Sequence, residues 1–298
     1  MRIASTQFHA TLTRSLELNQ TSVSRLTQQM ASGDRVMLPS DDPIATVRMS
    51  RLMREESIIG QYRENIDAVK IRLSKNEGYL SGMIGDLTEV HDIMVWAADA
   101  SNTPDDLKAM VDSLVALRDS IAYTANTRDQ EGKYLFSGTL TNTAPITVTG
   151  TTYAYAGNAG EQKVVVGNGI TQTVNVNVGG LEGLLNKMNQ AIDALRTTTT
   201  TSSDPALRTL IGETMTMVSS TQDQLAGKVA KLGGAQNVLA TLDDNHANVS
   251  LSNKTALTEL GQLDYGVAAT ELSGYNMALQ ATYQSYSKIS NLSLFNVL

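Results

Sequence analysis

The chain has no cysteine, three histidines, one tryptophan and five prolines, and each shortage removes a class of function. Without cysteine there is no disulfide, no thiol nucleophile and no thiolate metal site. Only His9, His91 and His246 remain as soft metal ligands or neutral-pH proton carriers. Aromatic residues make up 5%, so any core must rely on Leu, Val, Ile, Ala and twelve Met rather than on large rings. Basic charge is short as well: 23 Lys and Arg against 30 Asp and Glu leave a formal −7. No overall positive field is available to hold a nucleic-acid backbone. Long apolar runs are missing too. The longest, Ile93–Ala98, is far too short to span a bilayer, and the first twenty residues carry Arg2 but no apolar stretch with a cleavage-type end. Neither membrane insertion nor a cleaved secretory signal is expected.

What is present is a sustained three-four spacing of apolar positions. From Ile59 it runs through Tyr62, Ile66, Val69, Leu73, Asn76, Leu80, Met83, Leu87, Val90, Met94 and Ala97, with only Asn76 polar. That is a coiled-coil seam, and at 1.5 Å per residue it predicts a rod of about 58 Å, longer than a small domain is wide. A second seam reads Leu107, Met110, Leu114, Leu117, Ile121, Thr124. A third reads Leu232, Ala235, Leu239, Leu242, His246, Val249, Asn253, Ala256, Leu260, Leu263. Helix starts are expected at Pro43 after Asp42, Pro104 after Thr103 and Pro205 after Asp204, each a capping residue followed by proline at the first helical position.

Between Thr139 and Gly180 the period falls to two. This stretch holds seven glycines and only Glu161 and Lys163 as charges. Ile146–Thr149, Lys163–Val166 and Thr173–Val178 are predicted strands, with Gly157-Asn158 and Gly167-Asn168-Gly169 as turns. Thr197–Ser203 is a polar connector. The fold expected is mainly α with a small β insert: a long helical coiled-coil rod bearing an antiparallel β domain. Its segments are 1–41, 42–138, 139–180 (β-rich), 181–264 and 265–298.

The two ends share a design. Leu12, Leu16, Asn19, Val23, Leu26 and Met30 are spaced by four and three at the start. Tyr265, Ala268, Leu272, Tyr275, Leu279, Thr282, Tyr286 and Ile289 follow suit at the end. Both are heptads diluted with polar groups, burying too little alone to offset their ordering entropy, so 1–41 and 265–298 are expected to be disordered in the monomer. A subunit interface is therefore expected from Leu12, Leu16, Asn19, Val23, Leu26 and Met30 together with Leu272, Tyr275, Leu279, Tyr286, Ile289, Leu294 and Phe295.

Chemistry is harder to find. Asp41-Asp42 precedes Pro43 and reads as a helix cap, while Asp243-Asp244 near His246 would need partners from elsewhere to make a metal or acid-base site. The glycines at 157–160 and 167–169 lack phosphate-loop spacing. The β insert has no histidine or tryptophan, which argues against an enzymatic or sugar-binding role for it. No cofactor, metal or catalytic residue is expected.

The letters then narrow the choice. Met1–Phe8 (MRIASTQF), Gln28–Val36 (QQMASGDRV) and Pro39-Ser40-Asp41-Asp42-Pro43 resemble the amino-terminal signature of the flagellin superfamily. Gly132–Thr139 (GKYLFSGT) and the ending Ala278–Leu298 resemble its hook-filament junction branch more than its filament subunits, whose pattern lacks the Ser40–Pro43 quartet and ends in a basic residue. The resemblance implies a non-enzymatic structural protein of the bacterial flagellum, an adapter ring on which flagellin polymerises, with a filament subunit as the alternative. It also implies self-association into a ring of about eleven copies. The implied partners are a hook-associated protein on the hook side, flagellin on the filament side and an export chaperone at the carboxy-terminal region. Type III export would place the chain outside the cell without a cleaved signal.

Overall fold

The computed structural model describes residues 2–199 and 201–290, with side chains over 7–199 and 201–288. Its elements run α1 (Arg2–Ser32), α2 (Pro43–Ala97), α3 (Pro104–Ala109), α4 (Val111–Ala125), β1 (Ile146–Thr149), β2 (Thr152–Tyr155), β3 (Lys163–Gly167), β4 (Ile170–Thr173), α5 (Leu181–Thr197), α6 (Pro205–Gly261) and α7 (Tyr265–Ser290). The three proline starts are where the caps place them. Asp42 accepts from the Ala45 amide at 2.9 Å, Asp204 from Ala206 at 2.8 Å, and Thr103 and Asp106 form a capping box. α2 extends sixteen residues upstream of its seam, because the cap at Asp42 rather than the first seam residue sets its start. The chain divides into two compact units, residues 59–247 and residues 1–58 with 248–298.

The larger unit has one continuous apolar cluster. Eleven of the twelve seam positions of α2 are buried and Tyr62 is half-buried, so the period foretold which face of the helix meets the core. Asn76 is fully enclosed there, with its Nδ2 3.4 Å from the Val174 carbonyl and its Oδ1 without a partner. The second seam is broken at Met110, which closes α3 with amide bonds to the Leu107 and Lys108 carbonyls and opens α4. α5, which carries no seam in the sequence reading, buries eight side chains and packs on α4 and β2. In the third seam Val249 is exposed and Ser250 buried, a step of four from His246 where the reading took three.

The β region forms two antiparallel hairpins, β1–β2 and β3–β4, instead of a single sheet. Ile146, Tyr153, Val166, Val174 and Val178 belong to the same cluster as the helices, so the insert has no core of its own. Two expectations fail locally. Thr173–Val178 is strand only at Thr173, since β3 pairs with Ile170–Thr173 across Asn168-Gly169. Gly157-Asn158 is no hairpin turn; the β1–β2 turn is Gly150-Thr151, with Gly150 at φ +63°. Gly157 is instead needed for close packing, since a Cβ there would lie 2.5 Å from the Tyr155 hydroxyl.

Helix side chains hold the hairpins through main-chain groups. Asn126 exchanges two hydrogen bonds with Ile146 (2.8 and 2.9 Å), and Asn186 exchanges two with Tyr153 (2.7 and 2.8 Å), each amide acting as one rung of a strand ladder. The second hairpin is held by Asn65 donating to the Val165 carbonyl at 2.8 Å and by His246 Nε2 at 2.9 Å from the Val166 carbonyl.

Candidate assembly interface

In the smaller unit, α1 and α7 lie antiparallel as a two-helix coil. His9 meets Tyr286 edge-on at 5.8 Å between ring centres, and the Tyr265 hydroxyl donates to the Met30 carbonyl at 3.1 Å. Twenty-one residues separate these contacts on either helix, so the pair runs in constant register. Leu26, Leu263 and Ala268 form the buried centre, with Met30, Leu272 and Tyr275 packed against it. Leu12, Leu16, Asn19, Val23 and Leu279 are half-buried, and Tyr286 is 41% exposed. The side chain of Ile289, and all of Leu294 and Phe295, lie outside the described residues.

Behind the coil, residues 33–42 clamp the start of the chain to the end of α6. Gly33 turns at φ +79°, its carbonyl accepts from the Leu263 amide at 2.9 Å, and a Cβ there would come within 3.3 Å of the Tyr265 hydroxyl. The Arg35 amide donates to the Gly261 carbonyl at 2.7 Å while its guanidinium donates to Leu260 at 2.9 Å, satisfying carbonyls at the negative end of α6. Gln29 Nε2 donates to the Arg35 carbonyl at 2.6 Å, and Arg35 reaches Asp42 at 3.1 Å. Asp41 accepts from the Met37 and Leu38 amides. The acidic pair before Pro43 is therefore structural: one carboxylate closes the loop and the other caps α2. The Ala45 amide and the Arg35 guanidinium hold the Asp42 carboxyl below its usual 3.8.

This unit is built differently from the other. It carries nine basic and nine acidic residues, whereas residues 59–247 carry fourteen and twenty-one and so the whole −7. Among the described residues it exposes fifteen large apolar side chains, against ten on the larger unit. Phe8, Leu18, Ile44, Val47, Leu251 and Met277 are each about half exposed or more. A neutral, apolar surface can meet copies of itself without charge repulsion.

The remaining candidates are structural. Asp243, weighed as a site with His246, is bonded to Arg63 at 2.8 Å and lies 3.7 Å from Lys70; the bond to Arg63 chiefly lowers its pKa. His246 lies against the Tyr62 ring. Among the described residues no group of three His, Asp or Glu could hold a metal, and no helix is long and apolar enough to cross a membrane.

Residues 3–141 match the bacterial flagellin N-terminal helical region. The chain is 25% identical to flagellar hook-associated protein 3 of Escherichia coli (strain K12) over 100% of its own length and 99% of that protein's. It is 24% identical to the protein of that name in Salmonella typhimurium, again over 100% and 99%. A solved structure described as a flagellar hook-associated protein from Vibrio parahaemolyticus superposes with a TM-score of 0.70 at 29% identity, covering 74% of this chain and 100% of that one. Hook-associated protein 3 from Legionella pneumophila shares the fold at a TM-score of 0.65 and 15% identity, over 71% and 98%. Residues 3–141 thus match the bacterial flagellin N-terminal helical region, and the chain as a whole resembles the flagellar hook-associated proteins in sequence and fold.

Proposed function

We propose that this chain is the adapter at the junction of flagellar hook and filament, forming a ring of about eleven copies on which flagellin polymerises. One surface of the ring meets a hook-associated protein and the other meets flagellin. The subunit is exported unfolded, its carboxy-terminal region held by a chaperone until export, and it is extracellular once assembled. Its terminal helices order fully only when the seams of neighbouring copies close around them, so Leu12, Leu16, Asn19, Val23, Leu26 and Met30 work with Leu272, Tyr275, Leu279 and Tyr286, and with Ile289, Leu294 and Phe295 beyond.

The observation that carries this reading is the imbalance of the terminal unit. Among the described residues the cluster around its coil buries three apolar side chains while the unit leaves fifteen large ones in water, and the unit carries no net charge. Likeness along the whole length to two hook-associated proteins supports the position in the flagellum. The test is a deletion strain of the source bacterium. It should keep its hooks, lose its filaments and release flagellin into the medium, and the cloned gene should reverse all three; normal filaments in the deletion would overturn the assignment. Limited proteolysis tests the folding step: protection of residues 1–35 and 268–298 in dilute monomer would contradict it.

A further inference from the structure

A solvent-open cleft of about 280 Å³ lies between α6 and the segment around the β3–β4 hairpin, lined by Gly160, Thr173, Asn175, Asn177, Lys228 and Lys231 among others. The two lysines are one turn apart on α6. Lys228 Nζ donates to the Asn177 carbonyl at 2.6 Å, which leaves two of its three N–H groups unused. Burial, and then the charge of Lys231, push the Lys228 ammonium below its usual 10.5. Neither lysine makes an ion pair among the described residues. The one carboxylate of the cleft, Glu161, is held by Lys163 at 3.0 Å. Two cations, Lys228 half-buried and Lys231 exposed, thus line one small and mostly apolar cleft in a unit whose acids outnumber its bases by seven, and an anion reaching it would meet both.

We propose that this cleft receives the carboxylates of Asp223 and Glu89 from the next copy in the ring, an inference that rests on the ring reading above. In a closed ring all copies stand at one height, and each lateral contact joins two different faces. Asp223 precedes Lys228 by five residues, which places it about 140° around α6 and about 8 Å along its axis. Gln222 donates to Thr88 at 3.0 Å, so the residues that follow them, Asp223 and Glu89, stand at one level on neighbouring helices. Both are exposed and neither makes an ion pair among the described residues. Two acids without ion pairs among the described residues therefore lie about 8 to 12 Å along the rod from the two lysines and on another side of it, a gap left for the side chains and the packing angle of neighbouring copies to close.

The absence of native cysteine makes the contact testable by cross-linking. Lys231→Cys combined with Asp223→Cys, expressed in the deletion strain, should yield a ladder of covalent dimers and higher species on non-reducing gels of isolated hook-filament structures. Each single substitution should yield monomer only. Monomer alone from structures that have incorporated the double variant would overturn the contact and leave the junction assignment standing; absence of the wild-type chain from those structures would instead overturn the assignment. A charge arm covers failure to incorporate: Lys231→Glu should cut filament number about tenfold and Asp223→Lys in the same chain should restore it. No restoration would overturn the proposal. Saturable binding of succinate to wild-type monomer below about 1 mM would assign the cleft to free dicarboxylates and overturn the neighbouring copy as its occupant.

Discussion

Leu272→Asp separates the two units most cleanly. Leu272 is half-buried in α7 against Leu26, Leu263 and Ala268, a cluster with three buried members, whereas the core cluster of the larger unit holds thirty-five among the described residues. In the monomer the substitution forfeits only part of one leucine's burial, about 1 kcal/mol, and touches nothing in residues 59–247. In a closed intersubunit seam the same carboxylate would sit without a partner. A penalty of about 3 kcal/mol is then a conservative figure, a factor of about 150 for every contact in the ring. Circular dichroism of the purified chain should show the main thermal transition unmoved. Any loss of helix should be confined to the coil of α1 and α7, whose 31 and 26 residues are about a fifth of the chain. Cells carrying the variant should lose filaments. A motile strain with the variant incorporated at wild-type levels would refute the seam, and a shifted main transition would refute the independence of the units.

Leu87→Ala makes the opposite cut: fully enclosed in the rod, Leu87 should cost about 2 to 5 kcal/mol on truncation and lower the main transition in urea or heat. Asn186→Ala removes both rungs that hold Tyr153 and should cost about 1 to 3 kcal/mol, with faster amide exchange across β1–β2 as its local signature. Acid should loosen the start of α2 through Asp42. Because folding lowers that carboxyl below 3.8, its stabilisation is complete above the unfolded value and is lost as pH falls through the folded one. Melts at pH 7, 5 and 3 should therefore show less acid sensitivity in Asp42→Asn, which should also be the less stable chain at pH 7.

Period and punctuation made the helical architecture legible. Residues recurring every three or four positions from Ile59 to Ala97 can be hidden together only on one face of a helix, and Asp42-Pro43, Thr103-Pro104 and Asp204-Pro205 have no better use than as starts. The β region was legible in kind but not in pairing. Val174, Val176 and Val178 alternate as a strand would, yet past β4 the segment makes only an isolated bridge, Asn177 to Ser137. The site was half legible: the end seams are visible in the letters, but the clamp through Gly33 and Arg35 joins residues about 225 positions apart and leaves no local trace.

By itself the sequence determined the apolar face of α2 and the starts of α2, α3 and α6, because these follow from side chains acting within a turn or two. Only the tertiary structure decided that the hairpins share the helical core. It alone decided that α1 and α7 run antiparallel in constant register, and that Lys228 and Lys231 make no ion pair among the described residues. Those outcomes depend on distances between groups far apart along the chain, which local periodicity does not encode.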